Sequence, residues 1–571
     1  MNKIWKINKK APKEFFDKFP EYSKLTIQLL WSRELRNQKS IDEFFNPDYD
    51  QDLHDPFLLK DVKLAIKRIN QAAAKKEKVV IFADYDADGI CGGVILSEAL
   101  KSVNIEPDIY IPDRNKEGYG LNFKAIEEIA KKGVKLILTI DCGITDFEEV
   151  KLANKLGMDV IIIDHHEIPK KLPPAVAIID PKQKKDKYPF KYLAATGVAF
   201  KVLQAFFKTK KIPIKEEKWL LDLVAIATVT DSMLLLGENR TLVRYGLIVL
   251  SQTKRVGLRE LMKIARVKPV FNPQTLETNL NTHTLGFILG PRLNAASRID
   301  HGTTAYKLLT AISEEDAREV SLKLEQKNQE RQRTTERILR EARTRVLNYS
   351  PKRKIIFEGD ETWLAGIVGL IAQKLTNEFG LPCFIYQKTK DYSIGSVRGV
   401  PGFNVVMALT KCKKFLIEFG GHYGAAGFRI LNKNLIDFHR AIEKYGSKEL
   451  RTEEITPYLH IDADIDINDL NWVTFEQLEK MAPFGEGNPA PLFLLKEAKI
   501  TEMKSVGSNS CHLKISLEKG TKKLKAIGFG LANFCDKIKL GEEVDIVFEM
   551  IANEWNGTRE LQLKIVDLKK S

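Results

Sequence analysis

Between about residues 60 and 235 the chain alternates two periodicities. Short apolar, β-branched runs (VVIF at 79–82, then PDIYIP, KLILTID, VIIIDHHE and AVAIID) read as strands. Amphipathic stretches between them, such as NFKAIEEIAKKG and FEEVKLANKLG, read as helices. That alternation predicts a mostly parallel sheet with helices on both faces. From about 185 to 310 the pattern is mainly helical, and it runs into EEDAREVSLKLEQKNQERQRTTERILREARTRVL at 314–347, rich in helix formers and free of Gly and Pro. So long and charged a helix predicts a connector between two lobes. Coiled-coil dimerisation is the competing view, but Val320, Leu324, Ile338, Leu339 and Val346 do not keep an a/d heptad.

A second α/β unit is expected from KIIFEGD at 354 to about 450. After TPYLHIDADIDI the chain turns to short alternating strands with Gly and Asn turns (HLKISLEKG, KLKAIGFG, EVDIVFEMIANEWNG, ELQLKIVDL), the pattern of a small OB-type β-barrel. The expected division is an N-terminal extension at 1–60, a catalytic α/β domain at 61–310, a connecting helix at 311–350, a second α/β domain at 351–452 and a barrel domain at 453–571. Length alone predicts about three to four domains.

Composition narrows the class. With 44% hydrophobic and 29% charged residues the chain is of ordinary globular type. Its 90 Lys and Arg against 76 Asp and Glu, net +14, favour a polyanionic partner, although many Lys-rich housekeeping proteins are as basic. Six scattered cysteines show no C-x-x-C pair and no zinc spacing, so they read as reduced thiols of a cytoplasmic protein. There is no apolar leader and no apolar run of about 18 residues, so secretion and membrane spanning are not expected.

The chemistry begins at VVIFADYDADGICGG, 79–93. Asp84, Asp86, Asp88 and Gly89 imitate the start of an EF-hand loop, but position twelve, which needs a bidentate Glu, is Ile95. The aspartates instead sit between a strand and a helix, at the carboxyl edge of a sheet where ligands gather. A solvated turn that caps the helix through Asp88 is the plainer reading, and this stretch alone leaves both open. Other strand ends add to it: KLILTID ends in Asp141, VIIID in Asp164 followed by His165 and His166, and the helical VAIATVTD in Asp231. Charged groups and imidazoles at the end of a buried strand need partners. Asp with His suits hard ions such as Mn²⁺ or Mg²⁺ better than structural zinc, and ligands from several loops suggest two ions able to drive in-line phosphoryl displacement. His166 alone would read as a satisfied core histidine; beside Asp164 and His165, function is favoured.

DYDADG, DCG, DHH and VTD resemble the motifs of the DHH phosphoesterase superfamily. Similarity to its RecJ family extends over most of the chain, through IPDRNKEGYGLN at 111, GPRLNAASRIDHG at 290, WLAGIVGLIA at 363, GSVRG at 395, GGHYGAAGF at 420 and PFGEGNP at 483. GGHYGAAGF is similar to the hallmark of the DHHA1 domain and PFGEGNP to the opening of the RecJ-type OB domain. Phe82 and Ala83 stand where many relatives carry a His, which leaves ligation there to the three aspartates. The resemblance implies a DHH parallel-sheet domain joined by the long helix to a DHHA1 α/β domain across a groove, with a C-terminal OB barrel extending the DNA path. It implies a cytoplasmic 5′→3′ exonuclease of single-stranded DNA, releasing 5′-mononucleotides by two-metal hydrolysis without a covalent intermediate, in recombination and repair.

On this resemblance Asp84, Asp86, Asp88, Asp141, His165 and Asp231 would hold two Mn²⁺ or Mg²⁺ ions, and Asp164 would orient the histidine pair. His166 and the arginines, Arg298 among them, would stabilise charge. Arg114, Arg292, Asn294, Arg298, Ser396, Arg398 and His422, with backbone N–H groups at Gly420 and Gly421, would hold phosphates. For each Arg taken separately a surface salt bridge is the commoner role. Tyr119 would stack a base; Trp555, with Asn553 and Phe484, could do so in the barrel, where burial in its core is an equal reading. The family further implies work with a RecQ-type helicase and single-strand-binding protein, and a monomer is expected. Two other readings are a DHH enzyme of short oligonucleotides or cyclic dinucleotides, which usually lacks the barrel and connector, and a non-catalytic DNA-binding factor on a decayed site, disfavoured because all four ligand-bearing segments are intact.

Overall fold

The apolar runs of the first half become five parallel strands: β1 (Lys78–Ala83), β2 (Asp108–Tyr110), β3 (Val134–Ile140), β4 (Asp159–Ile163) and β5 (Ala177–Ile179), in the order β2-β1-β3-β4-β5. This computed structural model describes residues 3–114, 116–349, 353–450, 458–507, 510–555 and 558–571. Alternate strand residues enter different cores. Val79, Ile81, Ala83, Leu138, Ile140, Ile161 and Ile163 pack with helices α1 (Val62–Lys75), α2 (Ala87–Lys101), α3 (Ala195–Lys210) and α4 (Leu221–Thr230). Val80, Phe82, Ile137, Val160 and Ile162 pack on the other side with helices Phe123–Lys131 and Phe147–Lys155. Burial on both faces explains why these strands read as continuous apolar runs. The order reverses between β1 and β3, so their carboxyl ends flank a crevice suited to a ligand.

Gly89, in the first turn of α2, is required by close packing. A Cβ there would lie 2.5 Å from the Asp84 carbonyl oxygen and 2.7 Å from its nitrogen.

Two further helices shape the site. Helix α5 (Gly290–Ile299) carries the PRLNAASR segment and packs on the connecting helix α6 (Glu314–Leu347). Helix α6 has 34 residues, so it is about 51 Å long. Ala317 and Leu324 belong to the core of the first lobe, Ile338, Ala342 and Val346 to that of the second. Its buried positions, 317, 321, 324, 328, 335, 338, 342 and 346, fall three, four or seven residues apart and so share one face. Apolar residues alone hide it, because Ser321, Asn328 and Thr335 fill the middle.

The second lobe has five strands, β6 (Ile356–Asp360), β7 (Cys383–Lys388), β8 (Tyr392–Arg398), β9 (Leu416–Gly421) and β10 (Ala425–Leu431), in the order β9-β10-β8-β7-β6. Only β6 and β7 run parallel among them. Helix α7 (Ala365–Phe379) packs on β7 and β8.

Contacts divide the chain into two units. One spans residues 49–456; the other joins residues up to 48 with those from 457 to the C-terminus. Residues 1–60 are thus divided between units, where the sequence reading set them apart as one extension. In the second unit β11 (Phe493–Val506), β12 (His512–Lys519), β13 (Lys522–Gly528), β14 (Glu543–Trp555) and β15 (Thr558–Lys570) pair in the order β11-β12-β13-β15-β14, and β14 returns to β11 to close a barrel. The side chain of Trp555 lies outside the described residues.

The PFGEGNP loop joins the N-terminal segment to this barrel. Asn488 is fully buried; its amide donates to the Met481 and Pro483 carbonyls and its Oδ1 accepts from Arg33 Nε at 2.8 Å. Arg33 also faces Asp462 at 3.5 Å with its side chain only 4% exposed. Truncating Arg33 leaves Asp462 and Asn488 buried without their cation, and breaking a buried pair from one side costs about 3–5 kcal/mol. Arg33→Ala should therefore lower the urea midpoint of this unit clearly; an unchanged midpoint would show that water replaces the guanidinium freely.

Candidate metal centre

Each of three neighbouring strands is extended by one ladder bond from an aspartate. Asp84 N–H donates to Ile140 O, Asp141 N–H to Ile163 O and Asp164 N–H to Ile179 O, all at 3.1 Å. The chain then turns away, leaving three carboxylates on one sheet edge. At Asp141 the turn is sharp: its φ is +62°, a left-handed conformation that costs a non-Gly residue of order 1–3 kcal/mol. Its carbonyl is held by the Tyr119 hydroxyl at 2.8 Å, and Gly143 follows at φ +106°, where a Cβ would meet Thr139 Oγ1 at 2.7 Å.

Ligand atoms converge here in overlapping groups whose members lie within 4.8 Å of one another: Asp84, Asp86 and Asp141; Asp88, His165 and Asp231; and Asp141, His165 and His166. Asp231 comes from the C-cap of α4. His165 Nε2 lies 3.3 Å from Asp141, 3.6 Å from Asp231 and 3.9 Å from Asp88. Asp84 Oδ1 and Asp141 Oδ1 are buried with no hydrogen-bond partner among the described residues. Such atoms call for a cation.

Electrostatics agree. Burial, then the neighbouring Asp86, holds the Asp84 carboxyl well above its usual range; burial, then Asp88, Asp86 and Asp84, does the same at Asp141. Asp231 is pushed up to about 8 by burial and then by Asp88 and Asp86. Burial, then the charge on His166, pushes His165 down to about 3, leaving a neutral ring able to ligate. An all-oxygen and imidazole donor set whose carboxylates repel one another fits Mn²⁺ or Mg²⁺.

Two aspartates also hold helices, though not as the capping reading had it. Helix α2 is capped by Asp86, whose Oδ1 accepts from Asp88 N at 2.9 Å and Gly89 N at 3.3 Å. Asp88 reaches the N-terminus of α3 instead, accepting from Ala195 N at 2.8 Å and Thr196 N at 2.7 Å. Capping and clustering thus coexist in DYDADG.

Asp164 is fully buried. Its Oδ1 accepts from His165 N, His166 N and His166 Nδ1 (2.7 Å), and its Oδ2 from Ile144 N. Burial would raise its pKa, but the His166 bond and both histidine charges bring it below the usual range. Burial likewise opposes charge on His166, yet Asp164 outweighs it and lifts the ring to about 9. The Tyr119 hydroxyl lies 3.3 Å from His166 Nδ1, while Tyr119 as a whole is 46% exposed. From the second lobe, exposed His422 stacks on His166 with centroids 6.3 Å apart. Gly421 has φ +149° and no room for a Cβ, whereas Gly420 faces open space.

Arginines surround the metal loop. Arg298 donates to Gly366 O at 2.9 Å, and burial, then Arg114 and Arg331, pulls its pKa down to about 9. Arg114 lies over the Tyr85 ring at 4.8 Å. Arg398 donates to Ser396 Oγ, and burial followed by the charge of Arg114 lowers its pKa. Two of the expected phosphate contacts are engaged internally: Arg292 binds Glu325 at 2.6 Å, and Asn294 Oδ1 accepts from Ala87 N at 2.8 Å, bracing the metal loop.

Asp180 lies outside the motifs singled out in the sequence. Asp180 follows β5 as Asp164 follows β4, is fully buried, and is pushed up to about 8 by burial. Its strand-end position was a visible signal.

Comparison with known proteins follows the same lines. Residues 78–228 match the model of the DHH family N-terminal domain, and residues 461–567 that of the RecJ OB domain. The single-stranded-DNA-specific exonuclease RecJ of Bacillus subtilis is 36% identical over 520 residues, 91% of this chain; the chain spans 64% of that protein's length. RecJ of Thermus thermophilus is 30% identical, with 91% of this chain and 73% of the relative covered, and that of Haemophilus influenzae 29% identical with 95% of each covered. The crystal structure of T. thermophilus RecJ in complex with Mn²⁺ superposes with a TM-score of 0.85 at 26% identity, covering 100% of this chain and 80% of the other; the Mg²⁺ complex gives 0.78 at 25%, covering 100% and 78%.

Proposed function

The chain belongs to the RecJ family, and from that premise we propose that it is a metal-dependent exonuclease that degrades single-stranded DNA from the 5′ end and releases mononucleotides. The observation that carries this reading is the buried, unpartnered Asp141 Oδ1 between two groups of donors. Asp84, Asp86 and Asp141 would hold one ion; Asp88, His165 and Asp231, with Asp141 between, the second. When bound, the ions supply Lewis acidity to the scissile phosphate and acidify an attacking water.

The chain's own residues do the rest. Asp164 fixes the backbone of His165 and His166 and the His166 ring, and keeps a proton on His166, which sets a positive N–H donor beside the reacting phosphate. Arg114, Arg298, Arg398 and Ser396 bind the terminal phosphate, and the exposed Tyr119 ring stacks a base. The barrel adds single-strand affinity. A cytoplasmic monomer acting with a RecQ-type helicase and single-strand-binding protein completes the proposal; no described helix is long and apolar enough to cross a membrane.

Digestion of single strands and duplexes labelled at either end, with Mn²⁺, Mg²⁺ or EDTA, tests it. Early, metal-dependent loss of the 5′ label as mononucleotide from single strands is expected. Strands bound but left intact would favour a binding factor, and attack on very short oligonucleotides alone a smaller-substrate phosphoesterase.

A further inference from the structure

Away from the metal centre, a cleft of about 590 Å³ opens between α1 and the C-terminal turn of α3. That is the volume of an ordinary small-molecule site. Phe57 and Ile66 give it apolar wall, Lys63, Lys67 and Asn70 line it along α1, and Thr209 lines it from α3. Thr209 stands at the far end of α3 from Thr196, whose N–H holds Asp88 of the metal loop, about 20 Å away along the helix axis. The cleft is therefore separate from the strand-cleaving site.

Its lining calls for a ligand with an anion at one end and a donor at the other. Helix α1 opens without a side-chain cap and with no acidic residue in its first turn; Asp61, at the N-cap, is turned toward Ile178 N at 3.5 Å. In that turn stands Lys63, with Lys67 one turn on, and among the described residues neither has a carboxylate within ion-pair distance. Lys63 Nζ lies 5.9 Å from the centre of the Phe57 ring instead. Cations at a helix N-terminus are disfavoured unless an anion joins them. Asn70 has the opposite need: its Oδ1 is buried with no hydrogen-bond partner among the described residues, a costly state that an N–H donor relieves. Lys63, Lys67 and Asn70 share one face of α1 and span about 10.5 Å along it, the reach of a nucleotide from its phosphates to its base edge. Adenine presents an amine donor beside a ring acceptor, the edge an asparagine amide reads, whereas guanine presents only acceptors there. We propose that this cleft binds an adenine nucleotide, with its phosphates on Lys63 and Lys67, its base against Phe57 and Ile66, and its exocyclic amine donating to Asn70 Oδ1.

The test is isothermal titration of the full chain in EDTA with ATP, GTP and inorganic triphosphate. ATP should bind at least about tenfold more tightly than either of the others, consistent with one satisfied polar contact and a seated base. Lys63→Gln combined with Lys67→Gln should weaken ATP at least about tenfold, as loss of charge-assisted contacts requires. Asn70→Ala should erase the preference for ATP over GTP, and Lys75→Gln, exposed on the same helix, should change neither value. An excess of single-stranded oligonucleotide should not displace ATP. Should Asn70→Ala melt early, the exposed lysine pair and the comparison of nucleotides on the wild type still decide the matter. Absence of ATP binding, equal affinity for GTP, indifference to the lysine pair or displacement by the strand overturns the inference. Triphosphate binding as tightly as ATP overturns it too, since that marks an anion patch with no place for a base. Nothing in this test is read from cleavage, so failure of the nuclease reading would be a separate result.

Discussion

Asp141→Asn should abolish nuclease activity, by at least about 10³-fold, while leaving the chain folded and able to bind single strands. The magnitude follows from removing a shared anionic donor: metal stabilisation of phosphoryl charge is worth several kcal/mol, and each 1.36 kcal/mol is tenfold in rate. Asparagine is the informative substitution because, like aspartate, it tolerates the left-handed backbone at φ +62°, where alanine would add strain. The Tyr119 bond to the Asp141 carbonyl is retained as well. Rates of mononucleotide release in Mn²⁺ and Mg²⁺ measure the effect. More than about a tenth of wild-type activity would mean that Asp141 is not the common donor.

The second large effect is on stability, and its sign is fixed by the raised carboxyls. Asp231 sits at about 8 in the metal-free folded chain, against about 3.9 for an unfolded aspartate. Between those values the native state keeps a proton that the unfolded state has released. Stability therefore falls as pH rises through this window and levels off above 8. In EDTA, melting of the catalytic unit should drop from pH 6 to pH 9. Divalent ion at a hundred times its dissociation constant should restore about 2.7 kcal/mol. Asp231→Asn removes one of the repelling charges, so it should melt higher than wild type in EDTA at pH 9 and gain less from Mn²⁺. Calorimetry across that pH range decides it: a wild-type Tm that is flat or rising with pH in EDTA would show that the carboxylates do not repel as their burial implies.

Much of this was legible in the sequence because it depends on local pattern. Continuous apolar runs announced strands buried on both faces, and the aspartates ending them announced the sheet edge on which Asp84, Asp141 and Asp164 meet. What escaped depends on the far side of a contact. Nothing near Asp88 says that it receives the N-terminus of α3 from more than a hundred residues away, nor does PRLNAASR say that Asn294 faces Ala87 while Arg292 is held by Glu325. The connecting helix is legible as a link between two lobes, but its buried face is not. Its buried spacing is regular, but three of its inward residues are polar, and a scan for apolar periodicity does not see them.

That helix also constrains how the molecule can change its length. Both ends of α6 are seated in hydrophobic cores, and it has no Gly or Pro at which a change could be absorbed. One inserted residue would turn everything beyond it by about 100°, swinging the anchors of the second lobe, Ile338, Ala342 and Val346, out of place. Seven residues, two turns, would nearly restore the facing but would lengthen the rod by about 10.5 Å and carry His422 away from His166. Neither rotation nor translation is tolerable, so the helix acts as a gauge block of fixed length, and variation in chain length must be confined to loops elsewhere.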